Sequence, residues 1–187
     1  MEGKSVMVPG SRYEVSMGRG YRHPSPPRMS GSLNSKLTIR SAKPEDDIRC
    51  GQIVATAWMA SEVPDQLPHA LDMFDDGAPL PTENRYRLVA ELPDFVAGFA
   101  DIHIAQRHVW YLFVEPDLQG NGIGGALLDA AQAIIAGTMT LQCLAAGRRS
   151  LNWYHRHGFR TVGTFRRPLC GRDVGWVRLK RARRWRT

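Results

Sequence analysis

Apolar and polar residues alternate over several short stretches of the chain, a pattern typical of strands with one buried face. These stretches predict strands at 37–40, 86–92, 95–105, 109–114, 139–144, 159–166 and 174–179. A short turn at Pro93 and Asp94 separates the second strand from the third, and Pro116 closes the fourth. We therefore expect a sheet of about seven strands.

Helical periodicity occupies segments between these strands. The first helix is predicted to begin at Pro44, which acidic residues follow, and to reach about Ala60 with Ile48, Ile53 and Trp58 facing a core. Further helices are predicted at 65–74, 122–136 and 149–157. The order of elements predicts an α/β (α+β) domain in which about four helices flank a mixed, mostly antiparallel sheet.

The two ends of the chain depart from this pattern. Residues 1–35 are rich in Gly, Ser and Pro and have no apolar periodicity, so we expect a disordered basic leader. A single domain is predicted at 36–180, and a basic tail at 181–187.

The formal net charge of +7 belongs to the ends rather than to the domain. Residues 1–35 carry +3, residues 178–187 carry +6, and the central part carries −2. Basic ends can be solubilising, or they can attract nucleic acid or an acidic membrane weakly. We do not expect nucleic acid to be the partner of the folded domain.

The sequence predicts neither a membrane span nor a metal site. The longest apolar stretch, Gly122–Gly137, is interrupted by Asp129 and Gln132 and is shorter than the ~20 residues of a membrane-spanning helix. The charged N-terminal residues lack the apolar core of a secretion signal, which favours a cytoplasmic protein. The three cysteines are widely spaced, and no cluster of His, Cys or Asp has metal-ligand spacing.

The most informative segment follows the strand at 109–114. A short loop leads to the alternating glycines Gly120, Gly122 and Gly124, which open the next predicted helix. Glycines let a backbone approach a ligand closely, and the first N–H groups of a helix attract anions. The segment therefore predicts a phosphate-binding turn; a tight turn without a ligand explains the same glycines.

A dinucleotide-binding turn is another explanation. Gly120, Gly122 and Gly125 satisfy the Gly-x-Gly-x-x-Gly pattern of nicotinamide dinucleotide-binding proteins. That pattern belongs in the first strand-turn-helix unit and requires an acidic residue about 20 positions later. Here several predicted strands precede the motif, and no acidic residue occurs between Asp129 and Asp173. Both facts disfavour a nicotinamide enzyme.

Two motifs resemble the GNAT superfamily of N-acetyltransferases. Residues 119–124, Gln-Gly-Asn-Gly-Ile-Gly, match its cofactor signature Gln/Arg-x-x-Gly-x-Gly/Ala. Residues 153–159, Trp-Tyr-His-Arg-His-Gly-Phe, resemble its aromatic-Tyr-x-x-x-Gly-Phe segment. The resemblance covers roughly 36–180. It departs from the family at Gly147, where members often carry an Asn that contacts the pantetheine arm of the cofactor.

The resemblance implies acetyl-CoA as the acetyl donor, with no metal. It also implies that the fourth strand splays away from the fifth and that its backbone, with the glycine turn, holds the cofactor. The implied cofactor-binding residues are Leu112, Phe113, Val114, Gln119, Gly120, Asn121, Gly122, Ile123, Gly124 and Gly125. Tyr154 matches the general acid that protonates the CoA sulfur, although packing beside Trp153 would also explain a tyrosine here.

The acceptor amine is mostly protonated at neutral pH, so a base or a water chain has to remove its proton. His108 is our first candidate for the base, because some family members place a glutamate at the start of this strand. Asp101, His103 and Glu115 are alternatives. No Ser-His-Asp or Cys-His arrangement is signalled, so we predict direct transfer without a covalent enzyme intermediate.

The acceptor is predicted only by class, as a primary amine of a small molecule or peptide. Residues 59–84 contain six acidic residues and no Lys or Arg, which suggests a cationic acceptor; solvated helix faces explain the same charges. A non-catalytic acyl-CoA-binding regulatory module is the alternative function. A monomer or homodimer is expected.

Overall fold

The computed structural model describes residues 36–63, 85–169 and 171–182, and the backbone of 5–7 and 14–16. The strands within these ranges are β1 (Ser5–Met7), β2 (Glu14–Ser16), β3 (Thr38–Ser41), β4 (Arg85–Leu92), β5 (Phe95–His103), β6 (His108–Val114), β7 (Met139–Leu144), β8 (Arg160–Leu169) and β9 (Arg172–Arg181). The α-helices there are α1 (Asp47–Met59), α2 (Ile123–Ile134) and α3 (Arg148–Arg156), and short 3₁₀ helices occur at Pro44–Asp46 and Pro116–Leu118.

Seven strands form one mixed sheet in the order β3-β4-β5-β6-β7-β9-β8. β6 and β7 run parallel, and every other neighbouring pair in this sheet is antiparallel. The chain crosses over between the two parallel strands through α2, as a parallel connection requires. The parallel pair therefore lies in the interior of the sheet, with antiparallel strands on both sides.

Helices pack on both faces of the sheet. On one side, which we call the α2 face, buried residues of α2 pack on β4, β5 and β6, and side chains of α3 pack against them. On the other side, the α1 face, Cys50, Ile53 and Val54 of α1 pack on Val89 and Phe99. The three α1 residues follow the spacing i, i+3, i+4, which is one stripe of a helix.

The predicted fold class is confirmed. Each of the seven predicted strands of the main sheet is present, and their ends differ from the prediction by up to three residues. Helices also occur at three of the four predicted places. The remaining one, predicted at 65–74, lies outside the described residues.

The predicted core position of Ile48 is wrong, because its side chain is 61% exposed. The chain first makes a 3₁₀ turn at Pro44–Asp46, so the α-helical phase starts at Asp47. Cys50 and Ile53, both fully buried, then occupy the stripe that faces the sheet. Ile48 lies five residues before Ile53, about 140° away around the helix, and therefore cannot share this stripe.

Part of the basic C-terminal end belongs to the sheet. Arg178, Lys180 and Arg181 lie in β9. The Arg181 guanidinium donates to the carbonyl oxygens of Leu128 (3.0 Å) and His157 (3.3 Å). This arginine therefore ties β9 to the middle of α2 and to the C-terminal end of α3, which a solubilising tail does not do.

Two short strands lie within the leader that the sequence predicts to be disordered. β1 and β2 pair antiparallel with each other over three residues each and form a separate two-stranded sheet. The rest of the leader lies outside the described residues, so its disorder stays a prediction.

Candidate active site

A cleft opens between the two parallel strands. β6 and β7 pair at two positions, His108 with Thr140 and Val109 with Leu141. Beyond these positions the strands diverge, while β6 keeps its pairing with β5 as far as Val114. Main-chain groups of β6 therefore border the cleft where a regular sheet would have a neighbouring strand.

The glycine turn lies past the end of β6, at the start of α2. Gly120 and Gly122 have φ angles of 84° and 82°, in the left-handed region that favours glycine. Gly122 is the N-cap of α2 and makes no side-chain capping bond. The N–H groups of 123–125 thus lack intrahelical partners and lie at the positive end of the helix dipole. An anion can bind here without a basic side chain.

Two amide side chains stabilise this turn. Gln119 donates from Nε2 to the carbonyl oxygen of Val114 (3.1 Å), which ties the turn to the end of β6. Asn121 donates from Nδ2 to the carbonyl oxygen of Leu118 (3.0 Å). Because both amides are engaged, the groups that the turn offers to an anionic ligand are backbone N–H groups.

The glycines of the turn divide into two roles. A Cβ atom built on Gly120 meets nothing within 4 Å, so the space above this residue is open. A Cβ on Gly124 would lie 2.9 Å from the Trp153 ring, and one on Gly125 would lie 3.3 Å from Nε2 of His157. Gly124 and Gly125 therefore let α3 pack closely on α2, a role that the sequence analysis did not foresee.

Tyr154 lies on α3 with a partly buried ring. The ring packs edge-on against Trp153 and Phe159, with centroid separations of 5.1 and 5.5 Å. Its hydroxyl makes no hydrogen bond with any residue that the structure describes. Burial raises the pKa of Tyr154 above its ordinary value, and the nearby Cys143 thiol adds to the shift. The hydroxyl therefore stays protonated at neutral pH and can donate a proton.

Sequence comparison connects this site with a known family. A family model described as an acetyltransferase (GNAT) domain matches residues 83–161, the segment that contains the cleft, the glycine turn and Tyr154. This segment of the chain is thus similar to the acetyltransferase domain of the GNAT superfamily. A search of curated proteins gave no match.

Solved structures share the GNAT fold. A GCN5-related N-acetyltransferase from Rhodopseudomonas palustris matches with a TM-score of 0.68 and 20% identity, over 79% of this chain and 96% of that one. The PaiA N-acetyltransferase from Thermoplasma acidophilum, in complex with coenzyme A, gives 0.65 and 16%, over 79% and 99%. The spermidine/spermine N-acetyltransferase SpeG from Vibrio cholerae gives 0.56 and 19%, over 80% and 94%.

The match to an acetyltransferase (GNAT) domain supports acyl transfer from acetyl-CoA. Within the described ranges, no helix is both long and apolar enough to span a membrane. The same ranges contain no group of three or more His, Cys, Asp or Glu residues that could hold a metal ion.

His108, the first candidate for the base, lies at the closed end of the cleft. Its Nδ1 is 2.9 Å from Oγ1 of Thr140 on β7. Burial, with smaller contributions from His103 and Arg178, lowers the pKa of His108 to about 4. The imidazole is therefore neutral at pH 7 and a weak base. It also lies four residues, roughly 13 Å, along β6 from Leu112. Its role as the base stays a prediction.

The alternative bases are engaged by neighbours. The carboxylate of Asp101 accepts hydrogen bonds from the buried Arg87 at 2.6 and 2.7 Å. Glu115 accepts one from Arg49 at 2.7 Å, and Nδ1 of His103 accepts a backbone N–H from the following turn at 3.2 Å. Lone pairs held by guanidinium groups are poor proton acceptors. Water in the open cleft is thus a stronger candidate for the proton acceptor than the sequence alone suggests.

The acidic segment behind the cationic-acceptor hypothesis lies almost wholly outside the described residues, which include only 59–63 of 59–84. Within this part, Glu62 accepts the backbone N–H of Arg149 at 3.2 Å, near the start of α3. The hypothesis of a cationic acceptor therefore stays a prediction.

The sequence analysis missed a basic face on the hairpin of β8 and β9. Cross-strand pairing and strand alternation place Arg160, Phe165, Arg167, Arg172, Trp176, Arg178 and Lys180 on one side of it. Beside them, an open depression of about 480 Å³ at the end of β7 is lined by Arg148, Val174 and Gly175 among others. This depression is separate from the glycine turn. In the sequence, this face is indicated by basic and aromatic residues that recur at alternate positions of β9, interrupted by Val174.

Proposed function

We propose that this protein transfers the acetyl group of acetyl-CoA to a primary amine by direct attack. In this proposal, the glycine turn and the backbone of β6 around 112–114 bind the cofactor, and Tyr154 is the general acid. Residues 36–180 form the catalytic domain, which acts as a monomer or homodimer.

The observation that carries the proposal is the convergence of the turn, the cleft and α3 at one place. A Cβ atom on Gly124 would lie 2.9 Å from Trp153 and 3.7 Å from Leu112 of β6. Cys143 of β7, on the other side of the cleft, is close enough to Tyr154 to shift its pKa. The start of α2, which can bind an anion, therefore lies near the unpaired backbone of β6 and near Tyr154, the proton donor.

The residues of this place suit each demand of amine acetylation. Acetyl-CoA supplies a thioester whose carbonyl carbon the amine attacks. The free N–H groups at the start of α2 suit its pyrophosphate, and an N–H of β6 in the cleft would polarise the thioester oxygen. As the C–N bond forms and the C–S bond breaks, Tyr154 donates its proton to the sulfur, and the proton of the amine passes to water or a base.

Replacing Tyr154 with Phe tests this role most directly. Tyr154→Phe keeps the ring packing against Trp153 and Phe159 and removes only the hydroxyl. We expect kcat to fall by about 10²–10⁴, while the free energy of unfolding changes by less than about 1 kcal/mol, since the hydroxyl has no described hydrogen bond to lose. Release of CoA thiol with a broad panel of amines measures kcat, and calorimetry measures acetyl-CoA binding.

Tyr86→Phe is the matched control, because Tyr86 on β4 also has a partly buried ring, while its hydroxyl bonds with Ser41 of β3. This variant should keep full kcat. An unchanged kcat in Tyr154→Phe, with normal acetyl-CoA binding, would remove Tyr154 from the mechanism. A wild-type protein that binds acetyl-CoA without consuming it in the presence of any amine would instead be the non-catalytic acyl-CoA-binding module.

A further inference from the structure

The α1 face of the hairpin formed by β8 and β9 is built around an aromatic pair. Phe165 on β8 lies opposite Trp176 on β9, and their rings stack with centroids 6.4 Å apart. Trp176 also packs with Trp58 of α1 and Leu144 of β7. The aromatic pair is thus packed against the rest of the domain.

Two guanidinium groups rest on these rings. Cζ of Arg167 lies 4.5 Å from the ring centroid of Trp176, and Cζ of Arg178 lies 5.3 Å from that of Phe165. Stacking on a ring restrains a long side chain while its N–H donors stay available at the ring edge. Arg167 and Arg178 therefore present two restrained cations on the same face of the hairpin, each on one ring of the aromatic pair.

This surface is basic because the acidic residue of the hairpin lies on the opposite face. Asp173 pairs across the strands with Pro168, and its carboxylate binds Arg166 at 2.6 Å. Within the part of the chain that the structure describes, neither Arg167 nor Arg178 forms an ion pair. No described carboxylate therefore neutralises either arginine.

The register places this surface beside the open part of the cleft. Arg178 pairs with Gln142 of β7, and Trp176 pairs with Leu144. Both β7 residues follow Leu141, the last position at which β7 pairs with β6. Arg178 thus lies across β7 from the place where the thioester would be attacked, and Arg167 lies one strand further out, over the ring of Trp176.

A buried donor adds to the surface. The indole Nε1 of Trp176 is inaccessible to solvent and has no hydrogen-bond partner among the described residues. Buried N–H groups without partners are rare, because each costs about 1–3 kcal/mol. An oxygen of an anionic group that reaches the ring edge beside Arg167 could accept that bond.

We propose that this surface binds an anionic group, a carboxylate or a phosphate, carried by the acceptor, with Arg167 and Arg178 as its ligands. The proposal rests on the transferase function and names its substrate class: an amine with an anionic group in the same molecule. This proposal contradicts the hypothesis of a cationic acceptor, which rests on the acidic residues of 59–84. A polyamine would be repelled here by two arginines that form no ion pair among the described residues.

The same cations ease the removal of the amine proton. Positive charge near an ammonium group disfavours its protonated form and lowers its pKa. The base candidates are weak or already engaged, as the pKa of His108, about 4, illustrates. An anionic acceptor held by Arg167 and Arg178 therefore needs a less basic proton acceptor, such as water.

Acceptor pairs that differ only in the anionic group test the proposal. Lysine against cadaverine and phenylalanine against phenethylamine probe the carboxylate, and phosphoethanolamine against ethanolamine probes the phosphate. We expect kcat/KM for CoA release to be at least about tenfold higher for the anionic member of one series, compared at several pH values. Arg167→Gln and Arg178→Gln should remove that preference.

Arg160→Gln is the matched control. It removes the same charge from the same face of β8, but Arg160 pairs with Lys180, which in turn pairs with Thr140 at the closed end of the cleft. The preference should survive in this variant. An equal loss in Arg160→Gln, or faster turnover of cadaverine and spermidine than of any anionic amine, would overturn the anion site and leave the transferase function intact.

If none of these amines is acetylated, the transferase function fails for them and direct binding decides the anion site. Calorimetry with lysine, phenylalanine and phosphoethanolamine in the presence of CoA provides this measurement. Binding that weakens about tenfold or more in Arg167→Gln but not in Arg160→Gln supports the site. No binding of any anionic amine, or binding that is unaffected by both substitutions, overturns it.

Discussion

The two halves of the sheet that meet at the cleft are stabilised in different ways. The half formed by β3 to β6 is covered on both faces, and its α1 face contains the buried ion pair Arg87–Asp101. The half formed by β7 to β9 carries the exposed ion pair Arg166–Asp173. Both pairs have the same N···O distance of 2.6 Å, but their side chains are 1% and 9% exposed in the first pair and 66% and 57% exposed in the second.

This difference matches the tasks of the two halves in a GNAT domain. The backbone of β6 has to stay fixed if one N–H is to meet the thioester oxygen, so a rigid, enclosed half is required on that side. The other half presents exposed polar side chains, which substitutions can alter at little cost in stability. We infer that β3–β6 hold the chemistry and that β8–β9 adapt the domain to an acceptor.

The largest expected effect on stability comes from the buried pair. Arg87→Met leaves the carboxylate of Asp101 buried without its guanidinium partner, and Asp47 loses a hydrogen bond of 2.9 Å from the same arginine. We expect the free energy of unfolding to fall by about 3–5 kcal/mol, measured by urea unfolding.

The double variant Arg87→Met/Asp101→Leu tests the reason for this loss. Removing both partners leaves no unpaired charge, so a large part of the stability should return. A double variant as unstable as Arg87→Met alone would show that side-chain packing around Phe99, over which Arg87 lies at 4.8 Å, is the main contribution.

The next effect concerns the cofactor turn. Gly122→Val places a β-branched residue at a φ of 82°, where L residues are strained, and crowds the N–H groups that would face a pyrophosphate. We expect acetyl-CoA affinity to fall by at least about 100-fold, about 2.8 kcal/mol, measured by calorimetry.

Gly163→Ala is the control for this variant, because a Cβ there meets nothing within 4 Å and the residue has an ordinary φ. Gly124 is unsuitable as a second probe, since a side chain there would strike Trp153 and change the packing of α3. Stabilisation by NADH, with none by acetyl-CoA, would contradict the assignment of this turn to acetyl-CoA.

The fold was predicted well from the sequence because the apolar periodicity that defines each strand or helix lies within that element. Alternation and turn residues define each strand of the sheet by themselves, and the glycine motif lies next to the strand it serves. The core position predicted for Ile48 was wrong because this residue is five positions from Ile53, which places it about 140° away from the buried stripe of Cys50, Ile53 and Val54.

The site was predictable only where a motif carried it. Gln119 to Gly125 and Tyr154 lie in motifs, whereas Arg167 and Arg178 become neighbours only through the pairing of β8 with β9. The charge count obscured them further, because Arg178 was assigned to a basic end although it is part of a strand. Contacts across a sheet depend on register, which single-sequence patterns specify weakly.

A smaller effect is expected from pH. Burial lowers the pKa of His108 to about 4 in the folded protein, below the ordinary histidine value of 6.5. The unfolded chain therefore binds more protons between these pH values, and the free energy of unfolding falls as the pH drops from 6.5 towards 4. His108→Gln should remove about 1–2 kcal/mol of this decrease at pH 5, measured by urea unfolding at pH 5 and 7.

His155→Gln is the matched control, since it replaces an exposed histidine with the same residue and leaves His108 in place. An identical pH dependence in wild type and His108→Gln would mean that His108 is accessible to protons. Such accessibility would strengthen its candidacy as the catalytic base.

The smallest effect is expected from the exposed pair. Arg166→Gln and Asp173→Asn break an ion pair whose shortest N···O distance, 2.6 Å, equals that of Arg87–Asp101. Water and salt screen it, so the free energy of unfolding should change by less than about 0.5 kcal/mol, and a double-mutant cycle should give a coupling energy below about 1 kcal/mol.

Because this pair lies on the face opposite Arg167, neither substitution should alter the acceptor preference. A coupling above about 2 kcal/mol would mean that the hairpin is as rigid as the enclosed half, which would contradict its assignment as the adaptable half of the domain.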